Sequence, residues 1–225
     1  MSGTERRGAV TIEVLEQVCS RICHDMAGPI GAIRNGLELI GDAEDAEGGG
    51  GGKGGDQALE LIVHSAEQAA RRLRLFRLAY GRACSEGVRS FTEIRDTAAD
   101  WLAGGRVTLQ WPTDAPDDAL AARPGLAKSI LNLVVLASDA IPQGGIVTVL
   151  GAGTYDSGRV VVAAAGRGVR WAPELGQALA GRMDAGGPGP RAIHAAITGR
   201  FAEHYGLTLN WDTSDTEHLA LRLTW

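Results

Sequence analysis

The chain has 225 residues, a formal net charge of −5 and a hydrophobic fraction of 44%, which is enough for one large domain or two small ones with separate cores. Mild acidity argues against nucleic acid as the main partner, and no apolar run reaches the roughly 20 residues of a membrane-spanning helix. The N-terminus up to Val10 is polar, without the apolar stretch of a signal peptide. We therefore expect a cytoplasmic protein that binds neither nucleic acid nor membrane.

The three cysteines, Cys19, Cys23 and Cys84, are an odd number and give no disulfide framework, which fits a reducing compartment. Cys19 and Cys23 lie next to His24 in the sequence, and these residue types can bind zinc. On a helix, however, His24 points away from Cys19, and no fourth ligand is evident. We expect no metal site and predict that the thiols pack in a helix seam.

The first helical pattern carries a histidine on its outer face. Apolar residues recur there at intervals of three and four, at Leu15, Val18, Cys19, Ile22, Met26, Ile30, Ile33, Leu37 and Ile40. At about 100° per residue, His24 projects about 180° away from this stripe. Gly28, Gly31 and Asn35 share its face, so another protein could approach the imidazole closely. This geometry suggests a phosphoacceptor histidine.

A second helix follows a glycine-rich stretch. Residues 41–55 predict a flexible loop because glycine costs about 1 kcal/mol per helical position, and Asp56 is a candidate N-cap. The next apolar residues repeat every 3.5 positions, at Leu59, Ile62, Ala66, Ala69, Leu73, Phe76 and Tyr80. Two such helices form an antiparallel hairpin. Because a hairpin buries only one side of each helix, we predict a homodimeric four-helix bundle.

Five arginines mark the surface of the second helix: Arg71, Arg72, Arg74, Arg77 and Arg82. They form either a solvated helix face or a docking surface for an acidic partner.

From about Ser90 the pattern changes to helices alternating with mostly antiparallel strands. The sequence predicts helices over 92–103, 124–140 and 191–205, and strands over 106–111, 146–150, 159–164, 208–211 and 219–224. This is an α+β domain with helices on one face of a sheet. We place a hairpin domain at residues 1–88 and the second domain at 89–225.

Both halves resemble bacterial histidine kinases. His24 and Asp25, with Pro29 at the fifth position, resemble the phosphoacceptor helix of the kinase dimerisation hairpin. The second half is similar to the kinase ATP-binding domain, a GHKL or Bergerat-like α/β sandwich. The matching segments are the asparagine box NLVVLA at 132–137 and its following strand at 142–149, the first glycine box AAGRGV at 164–169, and a remnant of the second at 186–193.

Two substitutions within this resemblance argue against ATP binding. Where active kinases carry a second asparagine that helps hold Mg²⁺, this chain has Leu136, which offers no oxygen to a hard cation. Where they carry an aspartate that binds adenine, it has Ala164. Losing both groups predicts a degenerate ATPase-like domain that binds no nucleotide cofactor.

This combination resembles the ChpT-type histidine phosphotransferases, dimers with a kinase-like bundle and a degenerate ATPase-like domain. The segments CHDMAGPIGAIRNGLEL at 23–39 and RRLRLFRLAYG at 71–81 are similar to theirs. The resemblance implies a shuttle in a two-component phosphorelay. It would take a phosphoryl group from the receiver domain of a hybrid kinase and deliver it to response regulators, with Mg²⁺ supplied by the receiver.

His24 and Asp25 are the candidate catalytic residues. Neutral imidazole, with an ordinary pKa of about 6.5, can attack the phosphorus of an aspartyl phosphate in line, and Asp25 would orient the ring. Arg21, Gly28, Gly31 and Asn35 are the candidate partner-binding residues. Two alternatives remain open: a soluble kinase with an unorthodox ATP site, and a scaffold that binds a receiver without accepting phosphate.

Overall fold

The computed structural model describes residues 12–47, 53–81, 90–112, 122–182, 189, 192–213 and 216–225. The helices are α1 (Ile12–Glu47), α2 (Lys53–Ala79), α3 (Phe91–Leu102), α4 (Leu126–Asp139), α5 (Pro173–Leu179) and α6 (Ile193–His204). The strands are β1 (Val107–Gln110), β2 (Gly145–Gly153), β3 (Gly158–Ala165), β4 (Thr208–Asp212) and β5 (His218–Thr224).

Helices α1 and α2 pack as an antiparallel hairpin. Gly36 lies against Ile62 of α2, whereas the earlier residue Asp25 contacts the later residue Arg72. Gly36 has room for no side chain, because a Cβ atom there would lie 2.6 Å from Cγ1 of Ile62. The glycine therefore brings the two helix axes close together at this level.

The expected loop is shorter than predicted. Helix α1 continues through residues 41–47 to Glu47, and α2 begins at Lys53. Alanine and glutamate, both strong helix formers, dominate this extension and offset the single Gly41. Gly54 and Gly55 lie in the first turn of α2. Asp56 is not an N-cap but a first-turn acid, where the positive end of the helix dipole favours it. Residues 48–52 lie outside the described residues.

The C-terminal body is a five-stranded sheet in the order β1-β2-β3-β5-β4, with helices packed on one face. The first pair, β1 and β2, is parallel, and the other three pairs are antiparallel. Alternate residues of the central strands face the helices and are buried: Val147, Val149, Val160, Val162, Ala164, Leu219, Leu221 and Leu223. The predicted fold class, a helical hairpin followed by an α/β body, is confirmed. Helix α5 was missed, although Pro173 at its first turn is a start signal.

The end of α2 is fastened to the body by buried polar groups. Asn132 of α4 donates hydrogen bonds to the carbonyl oxygens of Ala79 and Lys128, at 3.0 and 2.8 Å. The ammonium of Lys128 donates to the carbonyl of Gly81 at 2.6 Å. The last carbonyls of a helix lack partners within the helix, and side chains of the body satisfy them here. Hairpin and body also share one hydrophobic core, to which α2 contributes Leu75, Phe76, Leu78 and Ala79.

One apolar face of the hairpin is uncovered in the single chain. The exposed large residues on it are Ile12, Leu15, Ile30 and Leu37 of α1 and Leu59, Val63 and Leu73 of α2.

The prediction that Cys19 and Cys23 are buried in a helix seam is wrong for the single chain, because both thiols are free and exposed. They lie on the α1 surface next to these residues, about a quarter to a third of a turn from the side that contacts α2. Cys84 lies outside the described residues.

Candidate functional site

The imidazole of His24 stands in solvent near the middle of α1. Its side chain is 86% exposed. Helical geometry places His24 about 120° from the α2-facing side and about 120° from the uncovered apolar face. The ring is therefore accessible to another protein in either a monomer or a dimer built on that apolar face.

Asp25 orients this ring and is itself held from the other side. One carboxylate oxygen, Oδ1, lies 3.3 Å from Nδ1 of His24, and the other, Oδ2, accepts a hydrogen bond from Nε of Arg21 at 3.0 Å. The Asp25 side chain is only 15% exposed. A carboxylate can only accept from the imidazole, so this contact requires a proton on Nδ1, and in the neutral ring the lone pair on Nε2 then points outwards.

Pro29 explains a further contact of Asp25. Because proline has no backbone N–H, the carbonyl four residues before it, that of Asp25, receives no helical hydrogen bond. Arg72 of α2 supplies the missing donor through Nη1. The Arg72 guanidinium in turn lies over the ring of Trp101 in α3, 5.9 Å from its centroid. The proline after the histidine therefore opens a backbone acceptor that joins α1 to α2 and the body.

Arg21 bridges the hairpin and the body. While Nε binds Asp25, Nη2 donates to Oδ2 of Asp139, the last residue of α4, at 3.1 Å. Burial alone would lower the pKa of Arg21, but the carboxylates of Asp139 and Asp25 more than offset it, so the pKa is raised. Arg21 was predicted to contact a partner; in the structure its guanidinium binds two carboxylates of the same chain.

The remaining predicted residues keep the surface beside His24 open. At Gly28 and at Gly31, an added Cβ atom would meet no heavy atom within 4 Å. Asn35 is exposed on the same face. Together with His24 they form a strip of α1 with little side-chain bulk, which we call the acceptor strip (His24, Gly28, Gly31 and Asn35).

Three of the five arginines that the sequence analysis assigned to the second helix have partners in the same chain. Arg71 pairs with Glu67 at 3.1 Å, Arg74 pairs with Asp100 of α3 at 3.4 Å, and Arg72 is engaged as described. Arg77 is exposed, and Arg82 lies outside the described residues. These contacts indicate that Arg71, Arg72 and Arg74 hold the structure together. They are not free to bind an acidic partner.

The positions that would contact a nucleotide are apolar and buried. Leu136 and Ala164 are 4% and 0% exposed and belong to the hydrophobic core. Most of the second glycine-box remnant lies outside the described residues. Among the residues that are described, no group of three or more histidine, cysteine or acidic side chains could hold a metal ion. Within the same ranges, no helix combines the length and apolarity needed to cross a bilayer.

His194 is an interior residue that the sequence analysis gave no role. Its Nδ1 lies 2.5 Å from the Tyr80 hydroxyl, and its Nε2 lies 3.1 Å from the carbonyl oxygen of Asn132. No local signal could have found this contact, since 114 positions separate Tyr80 from His194.

Comparisons with known proteins agree with this architecture. A family model for the histidine phosphotransferase C-terminal domain matches residues 91–217. The protein phosphotransferase ChpT of Brucella abortus (strain 2308) is 34% identical over 171 residues, covering 74% of this chain and 75% of that protein. The chain belongs to the histidine phosphotransferase family.

A solved structure of a bacterial phosphotransferase extends the similarity to the hairpin. It is 26% identical, covers 96% of this chain and 97% of its own, and superposes with a TM-score of 0.75. These findings confirm the predicted family and its main activity, phosphotransfer through histidine in a phosphorelay.

Proposed function

We propose that His24 is the phosphoryl carrier of this phosphotransferase. It would receive the group from the aspartyl phosphate of a receiver domain and pass it to the aspartate of a response regulator. The observation that carries the proposal is the outward-facing Nε2 of His24, left free because Asp25 holds Nδ1. Exposure of the imidazole and the open acceptor strip give a receiver access to it.

In the forward step, the Nε2 lone pair forms a bond to phosphorus as the bond from phosphorus to the aspartyl oxygen breaks. The carboxylate leaves with that electron pair, and the reverse step loads the next aspartate. Transfer of this kind depends on alignment and charge neutralisation. Asp25 contributes alignment and places a negative charge beside the ring, which balances the positive charge that develops on it. The receiver would supply Mg²⁺, since phosphoryl transfer commonly needs a metal for charge neutralisation.

We also propose that the body binds no ATP. A hard cation needs oxygen ligands, and the adenine amino group needs an acceptor, whereas Leu136 and Ala164 present only carbon side chains within the core. The body would then serve as a support for the hairpin.

We propose further that the chain acts as a homodimer. Soluble monomers rarely expose a contiguous apolar patch of large residues along two helices, and a second copy of the hairpin would cover it as a four-helix bundle. His24 lies outside this face and would stay accessible in both protomers.

The deciding experiment is a radiolabelled phosphate chase with wild type and His24→Ala. One sample receives labelled ATP, and the other receives a receiver domain carrying labelled aspartyl phosphate. We expect label on the protein only from the receiver and only with His24 present. Label from ATP alone would identify a kinase. Receiver binding that survives His24→Ala, without any phosphate transfer to wild type, would identify a scaffold.

Gly28→Leu tests the acceptor strip in the same assay. Side chains on a helix lean towards its N-terminus, so a leucine at position 28 would stand over His24. We expect transfer to slow by at least about tenfold through misalignment, with no loss of stability because the site is open. Gly41→Leu, on the same helix but more than four turns from His24, is the matched control. Equal rates for both variants would contradict receiver docking on the strip.

A further inference from the structure

Two salt bridges and one hydrogen bond connect the C-terminal body to His24. Asp139 binds Nη2 of Arg21 at 3.1 Å, Nε of Arg21 binds Oδ2 of Asp25 at 3.0 Å, and Oδ1 of Asp25 lies 3.3 Å from Nδ1 of His24. Arg21 and Asp25, the two inner groups, each use different atoms for their two neighbours. Arg21 therefore binds both carboxylates at once, and Asp25 binds Arg21 and His24 at once.

The placement of Asp139 is unfavourable for its own helix. It is the last residue of α4, and no basic residue occupies the last turn of that helix. The negative end of a helix dipole disfavours a carboxylate at this position. The dipole of α4 therefore does not favour Asp139, which pairs instead with Arg21, 118 positions earlier in the chain.

Arg21 is suited to holding two carboxylates at once. Its planar guanidinium presents several N–H donors in a fixed fork, which a lysine ammonium does not reproduce. Its side chain is 27% exposed and that of Asp25 15% exposed, so their contact is partly shielded from water. With Asp139 in place, Arg21 has one orientation that satisfies both acids. Without it, Nη2 loses its ionic partner and the guanidinium gains rotational freedom.

We propose that Asp139 is a positioning residue for phosphoryl transfer: the body acts on His24 through Arg21 and Asp25. This inference rests on the proposed carrier role of His24. The body of a phosphotransferase that no longer uses ATP then keeps a direct function in the reaction. It fixes the Asp25 carboxylate that keeps the imidazole proton on Nδ1 and the attacking lone pair on Nε2.

The test compares Asp139→Asn with Asp100→Asn. Asparagine keeps the size and one acceptor oxygen but removes the charge. Asp100 is a matched control because its bridge to Arg74 also joins the hairpin to the body, at 3.4 Å and with similar exposure, but touches neither Arg21 nor Asp25. The first measurement is the single-turnover rate of transfer from a phosphorylated receiver at saturating receiver concentration. The second is the ratio of the two His24 tautomers from the nitrogen NMR shifts of the unphosphorylated ring.

We expect Asp139→Asn to lower the saturating transfer rate by about fivefold to tenfold, less than the roughly hundredfold that a misplacement of about 1 Å can cost. The Nδ1–H tautomer of His24 should lose population to the Nε2–H tautomer. Asp100→Asn should match wild type in both measurements. Arg21→Lys should resemble Asp139→Asn, since lysine cannot hold both carboxylates with the same fixed geometry.

Three outcomes would overturn the inference. Asp139→Asn could leave rate and tautomer ratio unchanged. Asp100→Asn could reduce both equally, which would assign the effect to general fastening of the hairpin. Asp139→Asn could slow transfer only at receiver concentrations below saturation, which would mean that Asp139 contacts the receiver. Failure of the carrier role itself is distinguishable, because wild type would then accept no phosphate while the tautomer measurement still reports on Asp139.

Discussion

At the scale of single residues, the buried contact between Tyr80 and His194 has a determined direction. The Nε2 of His194 faces the carbonyl oxygen of Asn132 and must donate to it. In the neutral ring, Nδ1 then accepts from the Tyr80 hydroxyl. Burial lowers the pKa of His194 to about 4 and raises that of Tyr80 above its usual value. Both shifts favour the neutral forms that this arrangement needs.

The His194 contact predicts a loss of stability in acid. The unfolded chain takes up a proton at His194 near pH 6.5, whereas the folded chain does so only near pH 4, so acid favours unfolding across that window. The contribution is fully present above pH 6.5, and about 3 kcal/mol of the free energy of unfolding should be lost by pH 4. Urea melts at a series of pH values measure this loss.

The variant His194→Gln separates this loss from the titration of carboxylates. Glutamine can donate to Asn132 and accept from Tyr80 without titrating, so its stability should fall less steeply in acid. His204→Gln, at an exposed histidine of the same helix, should follow the wild-type curve. Parallel curves for wild type and His194→Gln would contradict the predicted role of His194.

At the scale of elements, the packing of α1 on α2 depends on a glycine. A Cβ atom on Gly36 would meet Cγ1 of Ile62 at 2.6 Å and the backbone oxygen of Ala58 at 3.2 Å. The oxygen belongs to a helix backbone, and the isoleucine is β-branched with a restricted side chain. Neither neighbour can move away at low cost.

Gly36→Ala should therefore destabilise the protein, although alanine is the better helix former. Overpacking costs about 1–3 kcal/mol, and it exceeds or cancels the gain in helix propensity of about 1 kcal/mol. Gly41→Ala, where nothing lies within 4 Å, receives only the gain and should be stabilised. Thermal and urea unfolding of the two variants measure the difference. Stabilisation by both substitutions would show that the helices do not approach closely at Gly36.

The periodic patterns predicted these elements well because helix and strand periods are local properties. They placed His24, Gly28 and Asn35 on the open face of α1. The patterns could not show which apolar residues of α1 contact α2 and which stay uncovered, because both groups belong to one broad apolar stripe. Cys19 was therefore expected to be buried, whereas it is exposed in the single chain.

The contacts that hold Asp25 lay beyond sequence reasoning for a different reason. Arg72 and Asp139 come from distant segments, and only the fold brings them to Asp25 and Arg21. Pro29 offered a partial signal, since a proline within a helix always leaves a carbonyl that needs another donor. The sequence could predict that need but not which residue meets it.

At the scale of the whole molecule, hairpin and body behave as one packed unit. Core residues of α2 lie among those of α3, α4 and the sheet, and the buried Asn132 and Lys128 bind the end of α2. These contacts hold the hairpin in a fixed position relative to the body.

The uncovered apolar face leads to the last prediction, which concerns assembly. Leu37 of α1 and Leu59 of α2 are 57% and 55% exposed in the single chain, far from His24 and from the contacts that fasten the hairpin to the body. Burying one leucine side chain contributes about 2 kcal/mol. A symmetric dimer contains each substituted residue twice, so the loss of binding free energy doubles. Leu37→Glu should therefore raise the dimer dissociation constant by roughly a thousandfold, while the fold persists.

Sedimentation velocity over a range of concentrations measures this equilibrium. The matched control is Leu150→Glu on β2, at a leucine that is 53% exposed but lies on the open face of the sheet. It should sediment as a dimer like wild type, because the predicted bundle does not include the sheet. A monomeric wild type at micromolar concentration would contradict the homodimer. Dissociation by Leu150→Glu and not by Leu37→Glu would place the interface on the sheet. His24 lies about 120° around α1 from the apolar face. A monomeric Leu37→Glu variant should therefore still accept phosphate, which would separate dimer formation from phosphoryl transfer.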